Sequence, residues 1–253
     1  MKKKIYLMVI SLITIACVTV GIMHHMFHFG RNSRWFSWMD FGGDRVSDTR
    51  SIEISDKNIE VIADLKVATL NIRTGSRFSI SYECSEKLVP EVNYGDGALT
   101  ITQKNVNTSL FGKSKCEITL TVPEDITINR LGLEIGIGDL NVHHVSADVS
   151  SITCDIGDID IQNCALGAAD ITCNMGDCDM EYSSFTSLDV KMDMGDIEVK
   201  GSRSLDDYSI DVSCDMGDVE VNGREYRTGF RQEGNEETYI KINNNMGDIE
   251  LEY

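Results

Sequence analysis

Six ten-residue segments in the second half of this chain align on a Gly-Asp dipeptide, and that repeat constrains the fold more than any other feature. They are Leu133–Val142 (LEIGIGDLNV), Ile152–Ile161 (ITCDIGDIDI), Ile171–Met180 (ITCNMGDCDM), Val190–Val199 (VKMDMGDIEV), Val212–Val221 (VSCDMGDVEV) and Ile242–Leu251 (INNNMGDIEL). The glycines, Gly138, Gly157, Gly176, Gly195, Gly217 and Gly247, follow one another at intervals of 19, 19, 19, 22 and 30 residues. Equal intervals followed by longer ones are what stacked coils with insertions produce. Each segment alternates apolar and polar residues with period two, as a half-buried strand does. The apolar phase shifts across Gly157-Asp158, from Ile152 and Cys154 to Ile159 and Ile161. A corner explains the shift, because glycine supplies backbone freedom and aspartate bonds nearby amides.

The expected fold is therefore all-β, a right-handed parallel β-solenoid with coils of ~19 residues over 131–253 and neighbouring coils ~4.8 Å apart. Equivalent positions form ladders. Ile156, Met175, Met194, Met216 and Met246 are expected to line the interior. Cys154, Cys173 and Cys214, with Met192, are expected to form a second inward ladder. They are read as small buried hydrophobes, since a parallel ladder suits disulfides poorly. Seven of the eight cysteines lie outside the N-terminal apolar run, an odd number that argues against a complete disulfide framework.

Residues 51–130 are also strand-rich. SIEIS (51–55), ATLNIR (68–73), FSISYE (78–83), ALTIT (98–102) and EITLTV (117–122) alternate, and Asn93–Gly97 is a turn signal. This region is expected to form irregular coils or a capping sheet. At the start of the chain, residues 1–4 read as a cytoplasmic tip rich in lysine. Residues 5–26 form an apolar run long enough for one transmembrane helix. A cleaved signal peptide is the competing reading, although no A-x-A site follows. Residues 27–50 read as a juxtamembrane linker that opens with histidines and aromatics. This organisation puts the body outside the cell membrane, with the N-terminal helix as the membrane contact.

The net charge of −18 is unevenly placed. Residues 1–130 are nearly balanced, whereas residues 131–253 hold 27 Asp and Glu against 7 Lys and Arg. Such a surface repels nucleic acid and anionic lipid headgroups and excludes both as partners of the repeats. No cofactor is expected; carboxylates recur beside each corner, where Asp158, Asp177, Asp196, Asp218 and Asp248 are the one candidate ligand set, for calcium. The competing reading has the corner aspartates capping turn amides. Paired carboxylates occur on every coil, which argues for a structural ladder and against one catalytic pair. His143-His144 is the only histidine pair of the body, and no nucleophile-elbow motif is present. No catalytic residue is assigned, and the chain is expected not to be an enzyme.

The corners Gly138-Asp139-Leu140 through Gly247-Asp248-Ile249, the preceding Leu120–Glu124 (LTVPE) and the N-terminal span resemble the bacterial "putative adhesin" family, a domain-of-unknown-function group of β-strand repeats. The resemblance covers roughly residues 50–253. It implies a non-catalytic module of the cell surface or envelope, adhesin-like or a scaffold, whose partner is an envelope protein or glycan. Some members accompany envelope-stress operons, so a sensor acting on a membrane partner is the alternative. A polysaccharide-active β-helix enzyme is the third reading. The chain departs from the commoner Ser-Gly-Asp corner by placing Ile or Met before the glycine.

The interval of 30 residues between Gly217 and Gly247 carries Arg224, Arg227 and Arg231 with Tyr226 and Phe230. Either this insertion folds back to cover the solenoid end, or it is a mobile hairpin.

Overall fold

The structure is a computed structural model, and it describes residues 45–54, 58–104, 115–201, 204–234 and 237–253. All belong to one compact unit, Gly43–Tyr253. The region expected to cross a membrane, 5–26, lies outside the described residues. Among the described residues no helix is long and apolar enough to cross a membrane. Residues 45–50, the end of the stretch read as linker, belong to a strand.

Among the described residues, twenty strands build the unit. In chain order they are β1 (Arg45–Ser51), β2 (Ile59–Val67), β3 (Thr69–Gly75), β4 (Ser79–Ser85), β5 (Glu91–Gly95), β6 (Ala98–Thr102), β7 (Cys116–Pro123), β8 (Thr127–Ile137), β9 (Leu140–His143) and β10 (Ser146–Ile156). There follow β11 (Ile159–Gln162), β12 (Ala165–Met175), β13 (Cys178–Met194), β14 (Ile197–Gly201), β15 (Ser209–Met216), β16 (Val219–Val221), β17 (Arg224–Tyr226), β18 (Gly229–Gln232), β19 (Tyr239–Met246) and β20 (Ile249–Glu252).

In the middle of the molecule each coil is a short strand, a left-handed corner, a long strand and a glycine corner. The short strands β9, β11 and the start of β13 pair in parallel, in register. The long strands β8, β10, β12 and the second part of β13 do the same opposite them. The left-handed corner falls on His144, Asn163 and Tyr182, with φ of 61°, 53° and 51°. Period-two alternation then buries Ile159 and Ile161 from one side and Ile171 and Cys173 from the other. Along β12 the buried set runs Leu166, Ala169, Ile171, Cys173. Within this set the alternation breaks once, at Gly167-Ala168.

The coils are not stacked in chain order. The coil of β19 and β20 sits between that of β13 and β14 and that of β15 and β16, pairing in parallel with both. The other end mirrors this arrangement: β2 and β3 lie between the coil of β6 and β7 and that of β8 and β9. At each end, then, the outermost coil is not the terminal one in sequence.

This is where the expectation of a purely parallel solenoid fails. Antiparallel strands close both ends. β4 pairs with β7 and β1 with β4, while β5 pairs with β6 through the Asp96-Gly97 turn. At the far end β17 pairs with β16 through Asn222-Gly223, and β18 pairs with β15. A bare end coil would expose a row of unpaired amides and carbonyls, which invites aggregation, and an antiparallel hairpin covers that row at little length. The insertion after Gly217 supplies both far-end strands. Tyr226 and Phe230 pack together with ring centroids 4.9 Å apart against the core, and Arg231 pairs with Asp211 at 2.7 Å. The fold-back reading of this insertion therefore holds.

A second correction concerns the ladder of Ile156, Met175, Met194, Met216 and Met246. It faces solvent, with these residues 39–58% exposed. Asp155 and Ile156 are both outside, because the strand leaves its alternation one step before the glycine corner. The cysteine ladder is inward as expected.

Candidate functional site

The glycine corners form one continuous column. A Cβ on Gly157 would stand 2.1 Å from the carbonyl oxygen of Gly138, on Gly176 2.0 Å from that of Gly157, and on Gly195 1.8 Å from that of Gly176. Gly247 then stacks on Gly195, and Gly217 on Gly247. All six have φ between 128° and 154°, a region that side chains disfavour. Backbone approach this close, combined with that φ, is why the repeat carries glycine.

The candidate calcium ligands occupy the next position. The amide of each corner aspartate donates to Oδ1 of the aspartate one coil away: Asp158 to Asp139 at 3.3 Å, Asp177 to Asp158 at 3.0 Å, Asp196 to Asp177 at 3.0 Å, Asp248 to Asp196 at 2.8 Å and Asp218 to Asp248 at 2.9 Å. Asp158, Asp177, Asp196, Asp218 and Asp248 are thus brought into one column as a hydrogen-bonded chain. Among the described residues no group of three or more His, Cys, Asp or Glu side chains is arranged to hold a metal ion.

On the inner side of the same corner the thiols act as donors. Cys154 Sγ donates to the Gly138 and Gly157 carbonyls, Cys173 Sγ to Gly157 and Cys214 Sγ to Gly247. Asn244 takes the same inward position in the last repeat and donates through Nδ2 to the Gly195 carbonyl at 2.7 Å. The inward ladder therefore bonds the corner as well as filling the core. The neighbouring Cys173 thiol pushes the Cys154 pKa up, and burial adds to the rise. Burial and the nearby carboxylates push Cys178 up too.

A second acidic column runs along the outer face of the short strands. Asp160, Asp179, Glu198, Glu250, Glu220 and Glu225 are successive register partners on β11, β13, β14, β20, β16 and β17. Partial burial and then Glu198, Asp177, Asp160 and Asp158 push the Asp179 carboxyl up to about 6. Glu250 is raised by burial and by Glu198, Glu252 and Glu220. Lys200, paired with Glu198, offsets part of this charge. The alternation in sequence contained this column, but Glu198, Glu250 and Glu220 become successive neighbours only through the exchanged coil order.

The histidines are separated. His143 lies on the outer face with Nε2 3.8 Å from Asp160, and His144 forms the left-handed corner. A cleft of about 480 Å³ is lined by Ser47, Asp48, Thr49, Ser81, Tyr82, Glu83, Glu117 and Thr119, with no histidine or cysteine among them. One pair that sequence reading did not find is the disulfide Cys84–Cys116, between register partners on β4 and β7. The other described cysteines, Cys154, Cys164, Cys173, Cys178 and Cys214, are buried free thiols.

No curated protein sequence matches the chain. Among solved structures, a "putative cell adhesion protein" from Clostridium sporogenes is similar, with a TM-score of 0.53 and 18% identity over 83% of this chain and 99% of that one. A "putative adhesin" from Bacteroides fragilis covers 83% of this chain and 98% of its own at 12% identity, with a TM-score of 0.32. At these identities the first likeness speaks for the fold alone. The profile of the Toastrack DUF4097 family matches residues 56–222 and 123–252, nearly all of the repeat body. The chain belongs to the Toastrack DUF4097 family.

Proposed function

We propose that this chain is a non-catalytic cell-surface β-repeat module, adhesin-like or a scaffold, that meets a cationic envelope protein or glycan along its acidic face. The observation that carries this reading is the column Asp160, Asp179, Glu198, Glu250, Glu220 and Glu225. A repeating row of like charges with no singular constellation suits contact with an extended, repetitive, oppositely charged partner. It does not suit turnover of one bound substrate. The Cys84–Cys116 disulfide supports placement outside the cytoplasm, where such bonds persist. The likeness to a structure named for cell adhesion is consistent with it.

The test is binding of the purified chain to isolated cell envelopes, compared with a variant carrying Asp179→Asn, Glu198→Gln, Glu250→Gln and Glu220→Gln. The reading requires binding that weakens with salt and is lost in the variant. Equal binding by both proteins would remove the acidic face from the account, and fractionation with the cytoplasm would remove the surface placement.

A further inference from the structure

The side chains of the outward-turned methionine ladder have no role in the core, in the corner hydrogen bonds or in the acidic face, although their carbonyls accept the corner glycine amides. Ile156 is the register partner of Met175, Met175 of Met194, and Met216 of Met246. The Gly195 amide donates to the Met246 carbonyl at 3.0 Å, which joins the two halves. The spatial order is therefore Ile156, Met175, Met194, Met246, Met216. Four of the eleven methionines in the chain stand consecutively in one exposed column.

Successive members are spaced ~4.8 Å along the stack. Two sulfurs bound to one soft ion at about 2.3 Å each can stand up to ~4.6 Å apart, so flexible thioethers on adjacent coils meet that span. The surroundings favour a cation, since corner carboxylates accompany the column on every coil. They do not favour a hard one. The corner Asp Oδ1 atoms from Asp158 to Asp248 already accept backbone amides. Asp155 accepts from Asn174 at 3.0 Å, and Asp193 from Asn245 at 2.8 Å. One oxygen of each of these carboxylates is already engaged, while the methionine residues are exposed. Thioether sulfur selects soft ions, Cu(I) above all among biological metals.

We propose that Met175, Met194, Met246 and Met216 bind the soft monovalent cation Cu(I), two or three thioethers from neighbouring coils on each ion. The site is distinct from the acidic face of the short strands. Its position outside the core explains why the side chain before each corner is unbranched and sulfur-bearing in the last four repeats.

The experiment uses the full chain, methyl-labelled at methionine, with Ag(I) as a redox-inert probe. The four column methyl signals, assigned by single Met→Leu variants, should move together at the first equivalents of Ag(I). The buried Met180 and Met192 signals should stay in place. A quadruple variant with Leu at all four positions should keep its melting temperature and bind Ag(I) at least tenfold more weakly. Ile156→Met extends the column by one thioether and should raise the Ag(I) uptake, a readout that stands even if the quadruple variant folds poorly. The proposal is overturned if the column signals do not respond, or if every methionine responds alike. It is equally overturned if a basic amphipathic peptide shifts these methyls while Ag(I) does not, for the column would then be a peptide-docking strip.

Discussion

The backbone amide of Asp177 lies 3.0 Å from Oδ1 of Asp158, so the side chain of one coil terminates the backbone of the next. This bond recurs from coil to coil through the exchanged order, and it gives the corner carboxylates a structural use before any ion is present. Sodium and calcium at equal ionic strength should therefore raise the melting temperature alike, by screening the acidic columns. Thermal denaturation in the two salts checks this. A shift at millimolar calcium that sodium does not reproduce would establish Asp158, Asp177, Asp196, Asp218 and Asp248 as a calcium site.

The two faces of a coil should differ sharply in their tolerance of charge. Ile171→Asp buries a carboxylate with no partner and should cost several kcal/mol, roughly 3 or more. Met175→Asp, four residues along the same strand, reaches solvent and should change stability by less than about 1 kcal/mol. Urea denaturation of both variants distinguishes this from an inward methionine ladder, which would make them equally damaging.

Gly176→Ala should destabilise by at least ~2 kcal/mol, because its φ of 141° is strained for alanine and the added carbon meets the Gly157 carbonyl at 2.0 Å. Gly223→Ala, in an open turn, should cost less. Paired denaturation curves decide the order.

Asp179 sets a pH dependence. Its folded-state pKa of about 6 lies above its ordinary value of 3.8, so the folded chain holds the proton more tightly than the unfolded one. Stability should then rise as pH falls from 7 toward 5 and should decline again as pH climbs through 6. Asp179→Asn should stabilise the protein at pH 7 and flatten this part of the profile. An unchanged slope in melting temperature against pH would assign the effect to other carboxylates.

Much of this architecture is legible in the sequence, because the corners repeat a local conflict with one solution. Gly176 and its equivalents need positive φ, and Ile171 and Cys173 need an interior. The Asp96-Gly97 turn announces its hairpin for the same local reason. The ladder from Ile156 to Met246 is misread because alternation is extended one step too far. The chain swings out before the glycine, and an apolar residue there ends in solvent. Coil order is illegible for a different reason. Parallel ladders between similar repeats have nearly equal pairing energies, so register alone cannot say whether Ile242–Leu251 stacks above Val212–Val221 or beneath it. The insertion carrying Phe230 decides, because only the outermost coil has a free edge for its antiparallel strands. The Cys84–Cys116 pair depends in the same way on a register between strands that lie far apart in sequence.

The exchanged order at the far end also bears on synthesis. A ribosome releases the coil of β15 and β16 before that of β19 and β20, yet the later one is interior. The growing edge at β13 and β14 must therefore stay vacant, or be held by a provisional partner, until β19 and β20 emerge. A chain cut short at Gln232 would be missing its penultimate layer, with the outermost coil left stranded, and so would differ in kind from a shorter solenoid.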